Sequence, residues 1–339
     1  MRVGLTFDLR DAYLARGYDL EDVAEFDYPE TIDAVEAALD SLGCTVIRLG
    51  SVQDLACRLV AGERWELVFN MAEGLAGVAR EAQVPALLEA WAVPYTFSDP
   101  LVSALCLDKV MTKRILRDHG LPTPDHRVVW SEADAALVDL PFPLMVKPVH
   151  EGNSKGVSPA SRVTDAGQLR ARCAHIAGRF RQPALVEPFL PGREFTVGML
   201  GTGPSAVAVA VMEKLLGDEP VYFKYAVGFP GRLVDDPEAA CAGELALRAW
   251  RALGCRDGGR VDVRSDAAGN PLLLEVNPLP GLRPGQSDLP VLCELAGIPF
   301  AELIGRIVRS ALERAWTEGE PAAGTRPLPL PGRSRLSSP

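Results

Sequence analysis

The 339-residue sequence predicts an α/β protein, with a small parallel sheet first and then a longer α+β part of short strands, hairpins and helices. Three observations lead there. Up to about residue 98, apolar runs alternate with amphipathic stretches, the pattern of strand–helix units around a parallel sheet with covered faces. From His126 onward, short apolar runs are divided by turn residues, which reads as strands and hairpins. Two Leu- and Val-rich runs, 259–263 and 272–277, flank the cluster Ser265-Asp-Ala-Ala-Gly-Asn270 and so read as one β-hairpin.

In order, residues 2–7 read as a buried strand and 29–42 as an amphipathic helix stopped at Gly43. A strand at 45–49, a helix at 55–61, a strand at 67–70, a helix at 81–91 and a short fourth strand at 94–97 follow. Residues 1–98 are therefore expected to form one small α/β domain. The next segment, 99–124, reads as helical and partly basic, with Lys109, Lys113 and Arg114. Strands at 127–130, 144–147 and 184–187 are interrupted by helices near 133–137 and 166–177. Residues 195–200 and 206–212 pair around Gly201-Thr-Gly203, which has no third glycine and carries no weight as a dinucleotide site. Helices at 239–253 and 302–316 bracket the 259–277 hairpin, and residues 319–339, rich in Pro, Gly, Ser and Arg, are expected to form a disordered tail.

Hydrophobic content of 47% with 24% charged residues fits a soluble globular enzyme. The net charge of -10 argues against nucleic acid as a partner, since a phosphate backbone must be met by clustered Lys and Arg. Seven scattered cysteines with no CxxC pair point to neither a disulfide framework nor a zinc site. The amino terminus is too short and soon too polar for a signal peptide, and no apolar run reaches membrane-spanning length. A cytoplasmic protein without membrane contact is expected.

Alternation along the hairpin puts Arg260 and Asp262 on one face of the first strand, and Glu275 and Asn277 on one face of the second. Two carboxylates and an amide oxygen beside a guanidinium suit Mg²⁺, whose remaining ligands are waters and substrate phosphates; ordinary surface ion pairs would use the same residues. Lys147 ends an apolar strand and leads into Pro148-Val-His-Glu-Gly-Asn-Ser-Lys-Gly156. Such a loop can wrap its N–H groups around phosphate oxygens, although glycine-rich hairpin loops are common. Lys109 adds a cation. Glu187, Leu190 and Glu194 border a turn that suits a purine and its ribose, or a plain strand–turn–strand. The loop containing Phe223-Lys224-Tyr225 reads as a mobile lid or an ordinary excursion. The four histidines have no ligand spacing.

The order of these pieces resembles the ATP-grasp fold and, in detail, the D-alanine–D-alanine ligase family, over residues 67–304. The most telling parts are Ala82-Gln-Val-Pro-Ala-Leu-Leu-Glu89, Asp99-Pro-Leu-Val-Ser-Ala-Leu-Cys-Leu-Asp-Lys109, Lys147-Pro-Val-His-Glu-Gly-Asn-Ser154 and Leu274-Glu-Val-Asn-Pro-Leu-Pro-Gly281. The resemblance implies three domains: 1–98, a central ATP-grasp part at 99–186, and a metal-binding part at 187–318. It implies that Lys109, Lys147 and Lys224 contact ATP phosphates, that Glu187 and Leu190 hold adenine, and that Glu194 takes the ribose. Asp262, Glu275 and Asn277 would ligate two Mg²⁺, with Mn²⁺ as a substitute. Arg260 and the N–H of Gly281 would steady an oxyanion, Ser154 and Tyr225 would close the site, and Ser287 would receive the second amino acid's carboxylate. The implied reaction is ATP-dependent carboxylate–amine ligation of small amino acids through an acyl phosphate, with D-alanine the leading substrate and a homodimer the expected state.

Two departures fall on the acyl-donor side. The family's glycine- and serine-rich turn ending in glutamate is replaced by Phe7-Asp-Leu-Arg-Asp-Ala-Tyr13 and an acidic run at 19–25. Its His-Gly after the third strand is replaced by Asn70-Met-Ala-Glu-Gly74. Asp8, Arg10, Glu21 and Glu73 are candidate replacements. A specialised amino-acid or dipeptide ligase with another acyl donor is therefore an alternative. A module that binds ATP and has lost ligase chemistry is a second, opposed by the intact Arg260, Asp262, Glu275 and Asn277.

Overall fold

The computed structural model describes residues 1–215 and 231–318. Lys224, Tyr225 and the tail at 319–339 lie outside the described residues. Strands β1 (Arg2–Thr6), β2 (Thr45–Gly50) and β3 (Leu67–Asn70) form a parallel sheet in the order β2-β1-β3. β3 is buried along its whole length and β1 beyond its first residue, as expected of strands covered on both faces. Pro29 starts helix Pro29–Ser41, where its missing N–H costs nothing, and a Ser51–Asp54 capping box starts helix Val52–Val60.

The strand expected at 94–97 shrinks to one parallel bridge between Val68 and Tyr95. Phe97 takes a left-handed conformation (φ 72°) and its N–H donates to Asp257 Oδ2 at 2.7 Å. A buried carboxylate has claimed the backbone that a fourth strand would need. The helical stretch 99–124 is likewise two helices, Pro100–Leu107 and Lys109–Asp118. Asp108 separates them, accepting the N–H groups of Val110 and Met111 at 2.9 and 3.0 Å, a cap that satisfies otherwise orphaned donors. Lys109 thus becomes the first residue of the second helix.

β4 (Arg127–Val129), β5 (Leu144–Pro148), β6 (Arg162–Val163) and β7 (Ala184–Pro188) make an antiparallel sheet in the order β4-β7-β5-β6, packed on helix Ala166–Phe180. β8 (Glu194–Leu200), β9 (Val207–Lys214), β10 (Gly231–Leu233), β11 (Gly258–Ser265) and β12 (Pro271–Asn277) make another, in the order β10-β9-β8-β11-β12. Phe195, Val197 and Met199 alternate inward against Trp250 of helix Pro237–Leu253. Leu200, on the opposite face, joins Leu289 and Cys293 of helix Asp288–Leu295. The same core takes in Val3, Leu5 and Val35 with Leu303, Ile304 and Ile307 of helix Phe300–Glu318, so the last helix seals the first sheet. Among the described residues, no helix is long and apolar enough to cross a membrane.

Candidate active site

The expected hairpin forms, and its register sets Arg260 opposite Asn277 and Asp262 opposite Glu275. Gly259 has a steric reason. A Cβ there would lie 2.4 Å from the Asn277 carbonyl oxygen and 2.6 Å from the Trp250 ring. Asp262 is 5% exposed; it accepts from Thr196 Oγ1 at 2.8 Å and from the Asn277 amide at 3.3 Å. Arg260 is 2.7 Å from Asp288 and 3.7 Å from Asp262. Burial disfavours its charge, but Asp262 and Asp288 outweigh that and raise its pKa. Lys214, which sequence reasoning missed, lies 3.7 Å from Asp262 and 3.5 Å from Glu194. Its signal was present: alternation along β9 sets it on the same face as buried Met212.

No three Asp, Glu, His or Cys side chains among the described residues form a ready cage for an ion. The set here is two carboxylates and an amide, hard oxygen donors of the kind Mg²⁺ takes when phosphates and waters complete its shell. The amide's oxygen and nitrogen are interchangeable by a side-chain flip, so Asn277 can offer either.

Behind the hairpin, Glu187 sits between two lysines. Lys113 Nζ is 2.6 Å and Lys147 Nζ 2.9 Å from its carboxylate. Burial pushes Glu187 up, yet the two cations win and hold it at about 2. Lys113, wholly buried and sharing that acid, is pushed down by burial to about 8. One carboxylate facing two ammonium groups leaves surplus positive charge, which suits an incoming phosphate. Lys109 is 3.6 Å from Glu275 and donates to the carbonyl of Glu151, so it joins β12 to the glycine loop. Glu194 is held by Arg264 at 3.0 Å, and Leu190 is half-buried.

Lys109, Arg260, Glu275, Asn277, Gly281 and Glu73 all line one cleft of about 490 Å³. Other expected donor-side residues lie elsewhere. Asp8 is buried at the end of β1, accepting from the Tyr13 hydroxyl at 2.6 Å and the Gly74 N–H at 3.0 Å. Arg10 donates to the Tyr28 hydroxyl at 3.0 Å. Glu21 pairs with Arg179 at 3.1 Å on an outer helix. Ser154 is exposed and left-handed (φ 61°), and it does not line the cleft. Ser287 sits under Gly281, where its hydroxyl would be 2.9 Å from an added Cβ.

The acid that does reach the cleft from the 19–25 run is Glu25. Arg80 Nη2 contacts both its oxygens at 2.8 and 2.9 Å, and the Gly152 N–H donates to it at 2.7 Å. Arg80 also donates to the His150 carbonyl at 2.7 Å, and Lys155 pairs with Glu151 at 2.9 Å. Burial disfavours the Glu25 charge, but Arg80 and Lys155 prevail and lower its pKa. This cluster ties the glycine loop to the amino-terminal region. An acidic run reads as solvated, but Val23 and Phe26 bury against Tyr13 and carry Glu25 under with them.

A Cβ on Gly152 would sit 2.6 Å from Glu25 Oε1, an atom pinned by Arg80. Gly152→Ala is therefore expected to displace the loop and lower kcat/KM by about 10²-fold, the scale for a misplacement near 1 Å. Steady-state phosphate release measures it.

Glu73 and Glu81 complete the acidic wall. Burial, followed by Glu81, pushes Glu73 well up; burial, only partly offset by Arg80, pushes Glu81 to about 7. The folded chain thus holds a proton on Glu81 at pH values where the unfolded chain has lost it. That contribution is complete below about pH 4.5, fades as pH rises through 7, and is at most about 3 kcal/mol. In ligand-free protein, Glu81→Gln should raise the melting temperature at pH 8 relative to the parent and close that gap towards pH 4.5.

A carboxylate-rich cleft lined by the glycine loop that follows one antiparallel sheet and by the hairpin of the other is the architecture of an ATP-grasp ligase, an enzyme that forms carbon–nitrogen bonds. Residues 115–309 match the family described as D-ala D-ala ligase C-terminus. The chain belongs to the D-alanine–D-alanine ligase family, and is accordingly an ATP-dependent ligase that forms a dipeptide amide bond. It is 37% identical over 289 residues to the D-alanine–D-alanine ligase of Marinobacter nauticus, covering 82% of this chain and 85% of that one. It is 36% identical over 266 residues to the enzyme of the same name from Bordetella petrii, covering 74% and 78%. Its fold aligns with the crystal structure of the Bacillus anthracis D-alanine–D-alanine ligase complexed with ATP at a TM-score of 0.72. That alignment has 23% identity and covers 94% of this chain and all of that one.

Proposed function

We propose that this chain activates the carboxylate of one small amino acid as an acyl phosphate and joins it to the amine of a second, with D-alanine the substrate suggested by its relatives. One observation carries the reading: Lys109, Arg260, Glu275, Asn277 and Gly281 face a single cleft beside the glycine loop. Asp262, Glu275 and Asn277 would hold Mg²⁺, two ions in our reading, which when bound neutralises charge on the transferring phosphoryl group. Lys109 and Lys147 bind phosphate oxygens, Lys214 adds a third cation beside Asp262, and Lys224 is a further candidate. Leu190, Glu187 and Glu194 frame the nucleoside, and Ser287 takes the acceptor's carboxylate.

The donor's carboxylate oxygen attacks the γ-phosphorus and ADP leaves. The acceptor's amine nitrogen then attacks the carbonyl carbon of the acyl phosphate. Arg260 and the Gly281 N–H donate to the resulting oxyanion, stabilisation that matters most in a dry, fixed setting. The carbon–oxygen bond to phosphate breaks, and the nitrogen loses its extra proton as the amide forms. The test is phosphate release with Mg²⁺–ATP and single or paired amino acids, D-alanine included. Release that depends on a pair, with one amide formed per phosphate, is expected. ATP binding with no stimulation by any amino acid would favour a module without ligase chemistry.

A further inference from the structure

The charges around the cleft do not cancel. Glu25 and Glu151 are answered by Arg80 and Lys155, Glu275 by Lys109, Asp288 by Arg260 and Asp262 by Lys214. Glu73 and Glu81 remain. Among the described residues neither side chain has a hydrogen bond or ion pair, yet both line the cleft and Glu81 is only 8% exposed. A buried carboxylate without a partner is costly; in ligand-free protein a proton offsets that cost, and a ligand of opposite charge takes the proton's place. The α-ammonium of an ordinary amino acid answers one of the two. The second calls for another positive group on the same substrate.

We propose that Glu73 and Glu81 form a subsite for a cationic side chain, so that the donor taken by this chain, in place of the D-alanine suggested by its relatives, is a basic amino acid, carrying an amine or guanidinium beyond its α-ammonium. The inference rests on the ligase reading above for the word donor, and on the cleft alone for the cation. The donor's own carboxylate points to Lys109 and Arg260, while its positive groups face Glu73 and Glu81 across the same cavity. This also accounts for the rewritten amino-terminal side: Asp8 is engaged with Tyr13, and Glu25 is engaged with Arg80. Neither is left to receive a substrate.

The experiment uses the full chain with Mg²⁺–ATP, a fixed acceptor and a matched donor series: alanine, norleucine, 2,4-diaminobutyrate, ornithine, lysine and arginine, each in both stereochemistries. ADP formation is one readout; protection of the ATP-free protein against thermal unfolding is the other. Basic donors should exceed norleucine at least tenfold in kcat/KM, and they alone should shift the unfolding temperature. Glu81→Gln and Glu73→Gln, near-isosteric changes that relieve like-charge repulsion, should each shrink the lysine-to-norleucine ratio at least tenfold. Neutral donors equal to basic ones, or a ratio unchanged in both variants, would overturn the subsite and leave the ligase reading standing. Thermal protection by basic amino acids with no ADP formation from any pair would do the reverse.

Discussion

Arg260→Lys is expected to lower kcat by about 10²–10³-fold, the loss typical of removing one oxyanion donor, while the protein keeps its fold. The guanidinium is buried, bonded to Asp288 at 2.7 Å and set beside Asp262 at 3.7 Å. Lysine keeps the charge that these acids require, so neither is stranded. What it loses is the planar fork, which can hold Asp288 and still present N–H groups to a second oxygen. KM for ATP should change little, because the phosphate cations Lys109 and Lys147 are untouched. Steady-state kinetics separates the two parameters. An unaltered kcat would remove Arg260 from the oxyanion's surroundings.

Glu187→Leu carries the largest expected loss of stability. It leaves Lys113, with no exposed surface, and the neighbouring Lys147 without their shared acid. Breaking a buried ionic cluster by removing one member costs about 3–5 kcal/mol, seen as a fall of roughly 4–7 °C in melting temperature at neutral pH. The two partners carry opposite signs: Glu187 is held down by two cations, whereas Lys113 is pushed down by burial to about 8. Glu187 is what holds the Lys113 pKa up against burial, so its loss lowers that pKa further. The variant's stability should therefore rise with pH, beginning below pH 8, as the folded chain sheds a proton that the unfolded chain keeps to about pH 10. Adding Lys113→Met to Glu187→Leu should recover much of the lost stability at neutral pH. A pair no more stable than Glu187→Leu alone would place the damage in packing rather than charge.

The hairpin was legible because strand alternation and a turn cluster fix which side chains share a face; setting Asp262 against Glu275 takes in addition a bulge after Asp262 that shifts the pairing by one residue, which alternation does not reveal. The motif order from Lys109 to Gly281 pointed to the fold through its resemblance to the ligase family. What escaped was long-range pairing. Glu25 meets Arg80 across 55 positions and Gly152 across 127, distances over which no periodicity speaks. Asp8, at the expected place after β1, is diverted by a hydroxyl five residues away. The strand expected at 94–97 had the right composition, but Asp257, 160 residues distant, captures its backbone. Glu81 reads as a helix-start acid until the fold buries it against Arg80 and faces it into the cleft.

The most direct test of the account is the fate of oxygen. With both carboxylate oxygens of the donor labelled with heavy oxygen, the phosphate released on amide formation should carry one labelled atom per turnover, because the attacking carboxylate oxygen stays with phosphorus when the amine displaces it. Amide formation with unlabelled phosphate would contradict the acyl-phosphate route and the roles assigned to Arg260 and Gly281 along with it.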